Sequence, residues 1–472
     1  MPSSSSANDQ DHHNSTLPVP NPTQSYWRTP PHPLDSLRST PSLPTTCDIL
    51  IIGAGLAGVS TLYHLLGEHS SSPAAASPPP SILLLDARQA CSGATGRNGG
   101  HVKVKSVSLL NLIAQLGAAA GAALAAFVDA QIDALKAAVE KEQGLAAECE
   151  FELRRSYDVF FDAADAAWME GQWRKAVRAG GAATWVRQRD FVGEAFAERV
   201  TGVGGARAAV SGPACSFWPY RFVMGLLERV VRRWGAEVVN VQMETAVWGV
   251  EGGGEGGSSV VRTERGAVRA RKVVFATNAY TPGLVRKYEG VIRPYKGTCA
   301  HLAPGEGREP VFPHLSHTYN LEFGKERVDY LNPRPDGGIV VGGGKWLYEE
   351  QRELWDNTVD DSTLVEPVIK AKYFDGYMQR NFRGWEDSGT EVERIWTGIM
   401  GSTPDGVPHI GKVPGEQNQW ILAGFNGGGN ALIFLSAKGV ARMVLDDVPF
   451  EETGTGIPAF FKTTEERLQN RL

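Results

Sequence analysis

The sequence predicts an α/β protein in which a parallel, doubly wound sheet is interleaved with a second, α+β unit built on a mainly antiparallel sheet. Three observations predict this. The apolar run Cys47-Asp48-Ile49-Leu50-Ile51-Ile52 ends on the glycine string Gly53-Ala54-Gly55-Leu56-Ala57-Gly58, and a second apolar run, Ile82-Leu83-Leu84-Leu85-Asp86, follows a helical stretch. Strand, helix and strand in this order make a βαβ unit. Alternation of helix and apolar strand returns from Trp218 to Val250 and continues to the run beginning at Lys272, whereas strand-like runs dominate from Val291 to about Arg394. At 472 residues the chain also exceeds what one hydrophobic core usually serves.

Taken in order, residues 1–46 are rich in Ser, Pro, Thr and His and lack the apolar core of a signal peptide. A partly disordered arm is expected, with Tyr26 and Trp27 packing against the folded body. A helix begins near Leu56, and the Ser, Ala and Pro tract between Leu66 and Pro80 reads as an inserted loop. Ser106 to Val128 carries no charged residue and is long enough to cross a bilayer. Asn111 and Gln115 interrupt it, Ala and Gly dominate, and the pattern runs on to Lys141. One long, partly buried helix is therefore expected, without membrane insertion. Residues 145–212 mix short strands and helices. From Trp218 a helix leads to Gly235-Ala236-Glu237-Val238-Val239 and to a strand over 246–250. The tract Gly252 to Gly257 lacks a following Lys-Ser or Lys-Thr and reads as a hairpin tip. Lys272 to Thr281 is a further buried strand turning at small polar residues. The resulting division assigns 47–145, 213–290 and 395–450 to the first unit, 146–212 and 291–394 to the second, and 451–472 to a C-terminal tail.

Forty-seven Lys and Arg stand against 53 Asp and Glu, a formal charge of -6, with signs interspersed rather than in basic blocks. Nucleic acid is not an expected partner. The cysteines at 47, 91, 149, 215 and 299 are odd in number and show neither CxxC pairs nor zinc spacing, so no metal site and a reducing, cytoplasmic setting are expected. The terminal Gln469-Asn470-Arg471-Leu472 is not a peroxisomal address.

The glycine string has a specific chemical use. Gly53 allows a tight turn, Gly55 lets the backbone approach a pyrophosphate, and Gly58 lets helix and strand pack closely, while the helix N-terminus at Leu56 and Ala57 receives negative charge. Asp86, followed by Ala87 and Arg88, ends the second strand where a carboxylate can accept hydrogen bonds from an adenosine ribose. The string alone permits either nicotinamide or flavin. The next segment, Cys91-Ser92-Gly93-Ala94-Thr95-Gly96-Arg97-Asn98-Gly99-Gly100-His101, argues for flavin: small residues let backbone lie against a flat, bulky ligand, and Arg97 with the amide donors can face phosphate.

With this segment the sequence resembles the D-amino-acid oxidase type of FAD-dependent oxidoreductases, nearest to the subgroup of gamma-glutamylputrescine oxidoreductase. That subgroup carries a Ser-Gly-Arg-Asn-Gly-Gly loop, matched here by Ser92 to Gly100 with extra residues inside it. The resemblance spans about Tyr26 to Asp447 and implies a Rossmann-like FAD-binding domain. It implies that Val247 meets the adenine, that Ala276-Thr277-Asn278 lies at the second dinucleotide crossing, and that Gly424-Phe425-Asn426-Gly427-Gly428-Gly429-Asn430 leads into a helix whose positive end faces the flavin pyrimidine. Relatives with covalent flavin use a Cys before the Thr-Pro-Asp element or a His in the loop after the second strand. Gly398 and Arg97 occupy those places, so FAD is expected to be non-covalent.

The activity so implied is oxidation of a C–N bond in an amine or amino acid by hydride transfer to flavin, with hydrolysis of the imine and O2 or another acceptor taking the electrons. By position, the catalytic candidates are His101, Tyr330 and Lys345, and the substrate-binding candidates Lys296, Arg334 and Trp396. Oxidation of an alcohol, a hydroxy acid or a secondary-metabolite intermediate is a rival reading, and a non-catalytic flavoprotein a more distant one. No second nucleotide loop for NADPH is found.

Overall fold

Runs of β-branched and leucine residues, buried on both faces, build the first sheet as parallel strands. The computed structural model of the chain describes residues 16–71, 77–180, 184–252, 257–305, 307–310, 314–324 and 327–472. At the centre, β1 (Thr46–Ile52) lies between β2 (Ile82–Leu85) and β10 (Gly266–Phe275). Outside them run β7 (Val239–Gln242) on β2 and β17 (Gln419–Ala423) on β10, all parallel, with β16 (His409–Lys412) antiparallel at one edge. The hairpin β8 (Val247–Glu251) and β9 (Ser259–Thr263) adds to β10. Residues 253–256, most of the expected hairpin tip, lie outside the described residues.

The second sheet runs in the order β15 (Thr390–Ser402), β11 (Arg293–Pro304), β14 (Ile339–Gly342), β13 (Val328–Pro333) and β12 (His317–Glu322). It continues through β4 (Glu152–Phe160) and β6 (Ala208–Ser216) to β3 (His101–Val102), with β5 (Asp190–Val192) on β6. Its pairs are antiparallel except β12 with β4.

Helices Leu56–Ser71, Pro219–Val238 and Ile433–Asp446 pack together over one face of the first sheet, burying Leu62, Leu65, Phe222, Leu226, Phe434 and Val440 in one core. A separate core forms on the second sheet around Tyr319, Leu331, Tyr377 and Phe382.

Three expectations are revised. Residues 395–402, assigned to the first unit, run in β15, which pairs with β11 along its full length from Arg293 to Pro304. Residues 213–216 likewise end β6 in the second sheet. Gly212-Pro213 reads as a break yet lies inside β6, and nothing local marks residues 395–402, so only cross-strand pairing reveals which sheet takes each stretch. The single long helix is two, Ser106–Leu116 and Ala118–Lys141, broken at Gly117, whose φ of +87° no L side chain adopts comfortably. The second of these is long and apolar enough to cross a membrane by composition, but it packs Phe127, Val128, Ile132 and Leu135 into the core. The C-terminal tail is docked: Leu468 is buried and Arg467 forks onto Asp405 at 2.7 and 3.1 Å.

The N-terminal arm is held over its described part. Trp27 is fully buried, Trp218 Nε1 donates to Trp27 O, Thr23 N donates to Asp361 O, and Ser25 Oγ donates to Gly96 O.

Candidate active site

A cavity of about 700 Å3 runs along the C-terminal ends of β1, β2 and β10 and on into the second sheet, the place where open α/β sheets bind ligands. Its first stretch is made by Gly53, Gly55, Leu56, Ala57, Asp86, Ala87, Arg88 and Val247. Gly58 stands behind them, where a Cβ would lie 1.8 Å from Gly53 O, and a Cβ on Gly53 would lie 2.6 Å from Ala276 O. Two backbones therefore meet at distances only glycine permits. Asp86 Oδ2 accepts from Ala54 N at 2.7 Å and Oδ1 from Arg88 N at 2.9 Å, which orients the carboxylate at the strand end. Burial raises its pKa, opposed by those two donors.

The second stretch is the loop after β2. Ser92, Gly93, Ala94, Thr95, Arg97, Asn98 and Gly99 line the cavity, with Ala276, Thr277 and Asn278 across from them. Thr95 Oγ1 accepts from Leu56 N at 2.8 Å, joining this loop to the glycine turn. Asn98 and Asn430 pair, Asn430 Nδ2 donating to Asn98 Oδ1 at 3.0 Å. Asn278 Oδ1 accepts from Gly424 N at 3.0 Å and Phe425 N at 3.3 Å. Phe425, Asn426, Gly427, Gly428, Gly429 and Asn430 then line the cavity ahead of the helix from Ile433.

The third stretch belongs to the second sheet: Tyr295, Lys296, Cys299, Tyr330, Lys345 and Tyr348, with His101 and Lys103 opposite. The Tyr330 ring is wedged between two glycines, since a Cβ on Gly99 would lie 2.6 Å, and one on Gly342 2.0 Å, from ring carbons. Its hydroxyl is 2.9 Å from Cys299 Sγ, and His101 meets the ring edge-on at 5.4 Å between centroids. Burial pushes the phenols of Tyr330 and Tyr295 well up, that of Tyr348 to about 12 and the Cys299 thiol to about 12. Burial, with help from Lys103, holds His101 well below its usual value, and Lys103 itself is drawn down to about 7 by burial. This end is neutral apart from its lysines.

Three sequence-based assignments are overturned here. The Arg97 guanidinium does not face a phosphate: Nε donates to Ser92 O, the terminal nitrogens to Thr23 O, Thr23 Oγ1 and Thr397 O, and Asp361 lies 3.4 Å away. Trp396 is fully buried behind the loop, donating from Nε1 to Arg97 O at 2.9 Å, and does not line the cavity. Arg334 is buried too, pairing with Glu150 over the Trp27 ring and away from the cavity. Trp396 is turned to the other face by the alternation of β15, whereas Arg97, in the loop after β2, and Arg334, just past β13, are drawn away by the carboxylates of Asp361 and Glu150. Gly100 and Gly424 frame the loops without lining the cavity, Gly100 against the Trp27 ring. Conversely, the sequence reading passed over Tyr280, Tyr295, Tyr348, Cys299 and the arm residues Thr16, Leu17 and Pro18, all of which line the cavity. Tyr295 to Cys299 all line it along one strand, so no alternation in the sequence marked them.

The cavity fits an extended dinucleotide. It is long, narrowed by glycines where a pyrophosphate needs backbone contact, and the buried Tyr280 hydroxyl and His101 Nδ1 have no hydrogen-bond partner in the protein. Fold and cavity together define a flavin-binding oxidoreductase built on a dinucleotide-binding fold. A family model described as FAD dependent oxidoreductase (DAO) matches residues 48–443, and the chain belongs to that family. Gamma-glutamylputrescine oxidoreductase of Escherichia coli is 20% identical over 430 residues, 91% of this chain and 89% of that enzyme. Glycine oxidase of Pseudomonas putida is 26% identical over 202 residues, 41% of this chain, which thus spans about half, 48%, of that relative. Among solved structures, L-proline dehydrogenase from P. horikoshii superposes with a TM-score of 0.65 at 17% identity, covering 90% of this chain and 99% of that one.

Proposed function

We propose that the protein oxidises a C–N bond of a small amine or amino acid, using FAD held without a covalent bond, in the cytoplasm. Bound FAD supplies a two-electron acceptor for the hydride leaving the carbon next to nitrogen, and O2 or another oxidant removes those electrons afterwards. The substrate nitrogen loses a proton, and water adds to the resulting imine to give a carbonyl compound and the free amine or ammonia.

The residues that would hold the cofactor are Asp86 at the ribose, the 53–58 turn at the pyrophosphate, Val247 near the adenine, and 92–100 with 425–430 around the ring system. The protein's own task is then positioning. The observation that carries the reading is the continuation of the cavity past the Asn98 and Asn430 pair into a chamber walled by Tyr295, Tyr330, Tyr348 and His101. The phenols stay protonated and the imidazole stays neutral, so the chamber favours an uncharged amine, the form able to give up hydride. The names of the relatives, a glycine oxidase and a gamma-glutamylputrescine oxidoreductase, agree with amine substrates.

The test is anaerobic mixing of purified holoprotein with panels of amines, amino acids and 2-hydroxy acids, followed by the flavin absorbance near 450 nm. Bleaching by nitrogen compounds supports the reading. Bleaching by hydroxy acids alone, or by nothing, overturns it.

A further inference from the structure

Six cationic side chains line the cavity among its described residues: Arg88, Arg97, Lys103, Lys105, Lys296 and Lys345. Each has a partner in the protein, the two arginines most completely. Arg88 and Arg97 share Asp361, Arg88 through both terminal nitrogens. Lys103 Nζ donates to Tyr319 O at 2.7 Å, and Lys105 lies 3.8 Å from Glu322. Lys296 donates to the Thr363 hydroxyl at 3.0 Å with Asp360 at 3.6 Å, and Lys345 stands 4.0 Å over the Trp355 ring and 4.0 Å from Glu349. The planar guanidinium fork is the group best suited to a carboxylate. Both forks in this cavity are committed to one buried aspartate.

The reacting end has a different character. Tyr330 is fixed between Gly99 and Gly342 and bonded to Cys299, and a Cβ on Gly427 would lie 3.1 Å from the Tyr295 hydroxyl and 3.5 Å from Met400 Sδ. Aromatic faces, a thioether and a thiol receive apolar or amine groups well, whereas a carboxylate there would meet no guanidinium fork and would have to draw a lysine away from its present contacts.

We infer that the chamber takes an alkyl or arylalkyl amine, primary or secondary, whose reacting carbon carries no carboxylate. This rests on the C–N oxidation proposed above and names its substrate class. The oxidation is RCH2–NHR′ losing a hydride from carbon and a proton from nitrogen to give RCH=NR′, with two electrons passed to FAD and then to the terminal oxidant.

The test uses holoprotein and pairs that differ only in the α-carboxylate: phenethylamine with both enantiomers of phenylalanine, butylamine with norvaline, and putrescine with ornithine. Anaerobic flavin reduction is followed in a stopped-flow instrument. We expect the second-order rate constant for the amine to exceed that for its amino acid at least tenfold in every pair that reacts. An amino acid oxidised at its α-carbon faster than its amine overturns the inference and leaves C–N oxidation standing. Reduction by hydroxy acids alone overturns both. As a second arm, Tyr295→Arg supplies an uncommitted guanidinium and should move the amine-to-acid ratio toward the acid at least tenfold; an unmoved ratio in a folded, flavin-loaded variant counts against the inference.

Discussion

Asp361 accepts hydrogen bonds from both terminal nitrogens of Arg88, at 2.9 and 3.0 Å, while standing 3.4 Å from Nε of Arg97. The carboxylate is fully buried. One anion from the second unit thus holds both arginines of the loop after β2, and through Thr23 N on Asp361 O it holds the N-terminal arm as well. Burial alone would lower the affinity of these arginines for their protons; the aspartate keeps Arg88 above its usual value, while Arg97 falls to about 10. Asp361→Asn leaves two buried guanidiniums short of a countercharge. We expect a loss of about 3–5 kcal/mol in denaturant unfolding and loss of flavin on gel filtration. Unchanged stability would refute the clamp.

Gly58→Ala places a methyl 1.8 Å from Gly53 O, backbone that cannot yield cheaply. The variant should emerge colourless or insoluble. Gly67→Ala is the control in the same helix, because a methyl there meets nothing within 4 Å; it should raise stability by about 0.5–1 kcal/mol through helix propensity. A yellow, fully loaded Gly58→Ala protein would sink the close-approach argument.

The flavin should leave with denaturation. Gly398 packs against Arg97, a Cβ there lying 3.0 Å from Arg97 Cβ, and neither residue offers a nucleophile. After acid precipitation the yellow colour should pass to the supernatant, and no fluorescent band should remain on a denaturing gel. A chromophore that stays with the pellet would disprove non-covalent binding.

Trp27 ties the arm to the flavin loop by donating from Nε1 to Asn98 O. Trp27→Ala should cost about 3–5 kcal/mol as a buried aromatic truncation. It should also speed FAD dissociation, read as recovery of free-flavin fluorescence. Slow release equal to wild type would separate the arm from the cofactor.

His409 is buried, 3.0 Å from the Thr463 hydroxyl and edge-on to Tyr288. Burial first, then Arg467, lowers its pKa from 6.5 to about 3. Because the unfolded chain binds the proton and the folded one does not, this histidine's contribution is intact above pH 6.5 and is lost as pH falls toward 3. At pH 5.5 the loss is about 1.4 kcal/mol by linkage. Urea unfolding of His409→Gln should therefore show a shallower decline between pH 7.5 and 5.5 than wild type. Parallel curves would refute a neutral His409.

Much of this architecture was legible along the chain. β1, β2 and β10 were found by their apolar runs, and the first helix by the glycine turn before it, because a parallel buried strand writes its burial into every residue. The second sheet was harder. β4 opens on Glu152, Arg154 and Arg155, β6 carries Gly212-Pro213 at its middle, and β12 pairs with β4 across more than 150 residues of intervening chain. Local pattern holds no record of such partners.

What the sequence by itself determined is the dinucleotide turn, Asp86 at the strand end, the small-residue loop over 92–100 and the glycine-rich entry to the helix from Ile433. Each is a local demand of backbone geometry, in which only certain residues can occupy a tight turn or a close contact. Only the tertiary structure decided which way Arg97, Arg334 and Trp396 point, that Asp361 consumes both cavity arginines, and that Tyr295, Tyr330 and Tyr348 share one chamber. Those outcomes depend on pairings between distant strands, and it is the competition of each charge for a buried partner that selects among them.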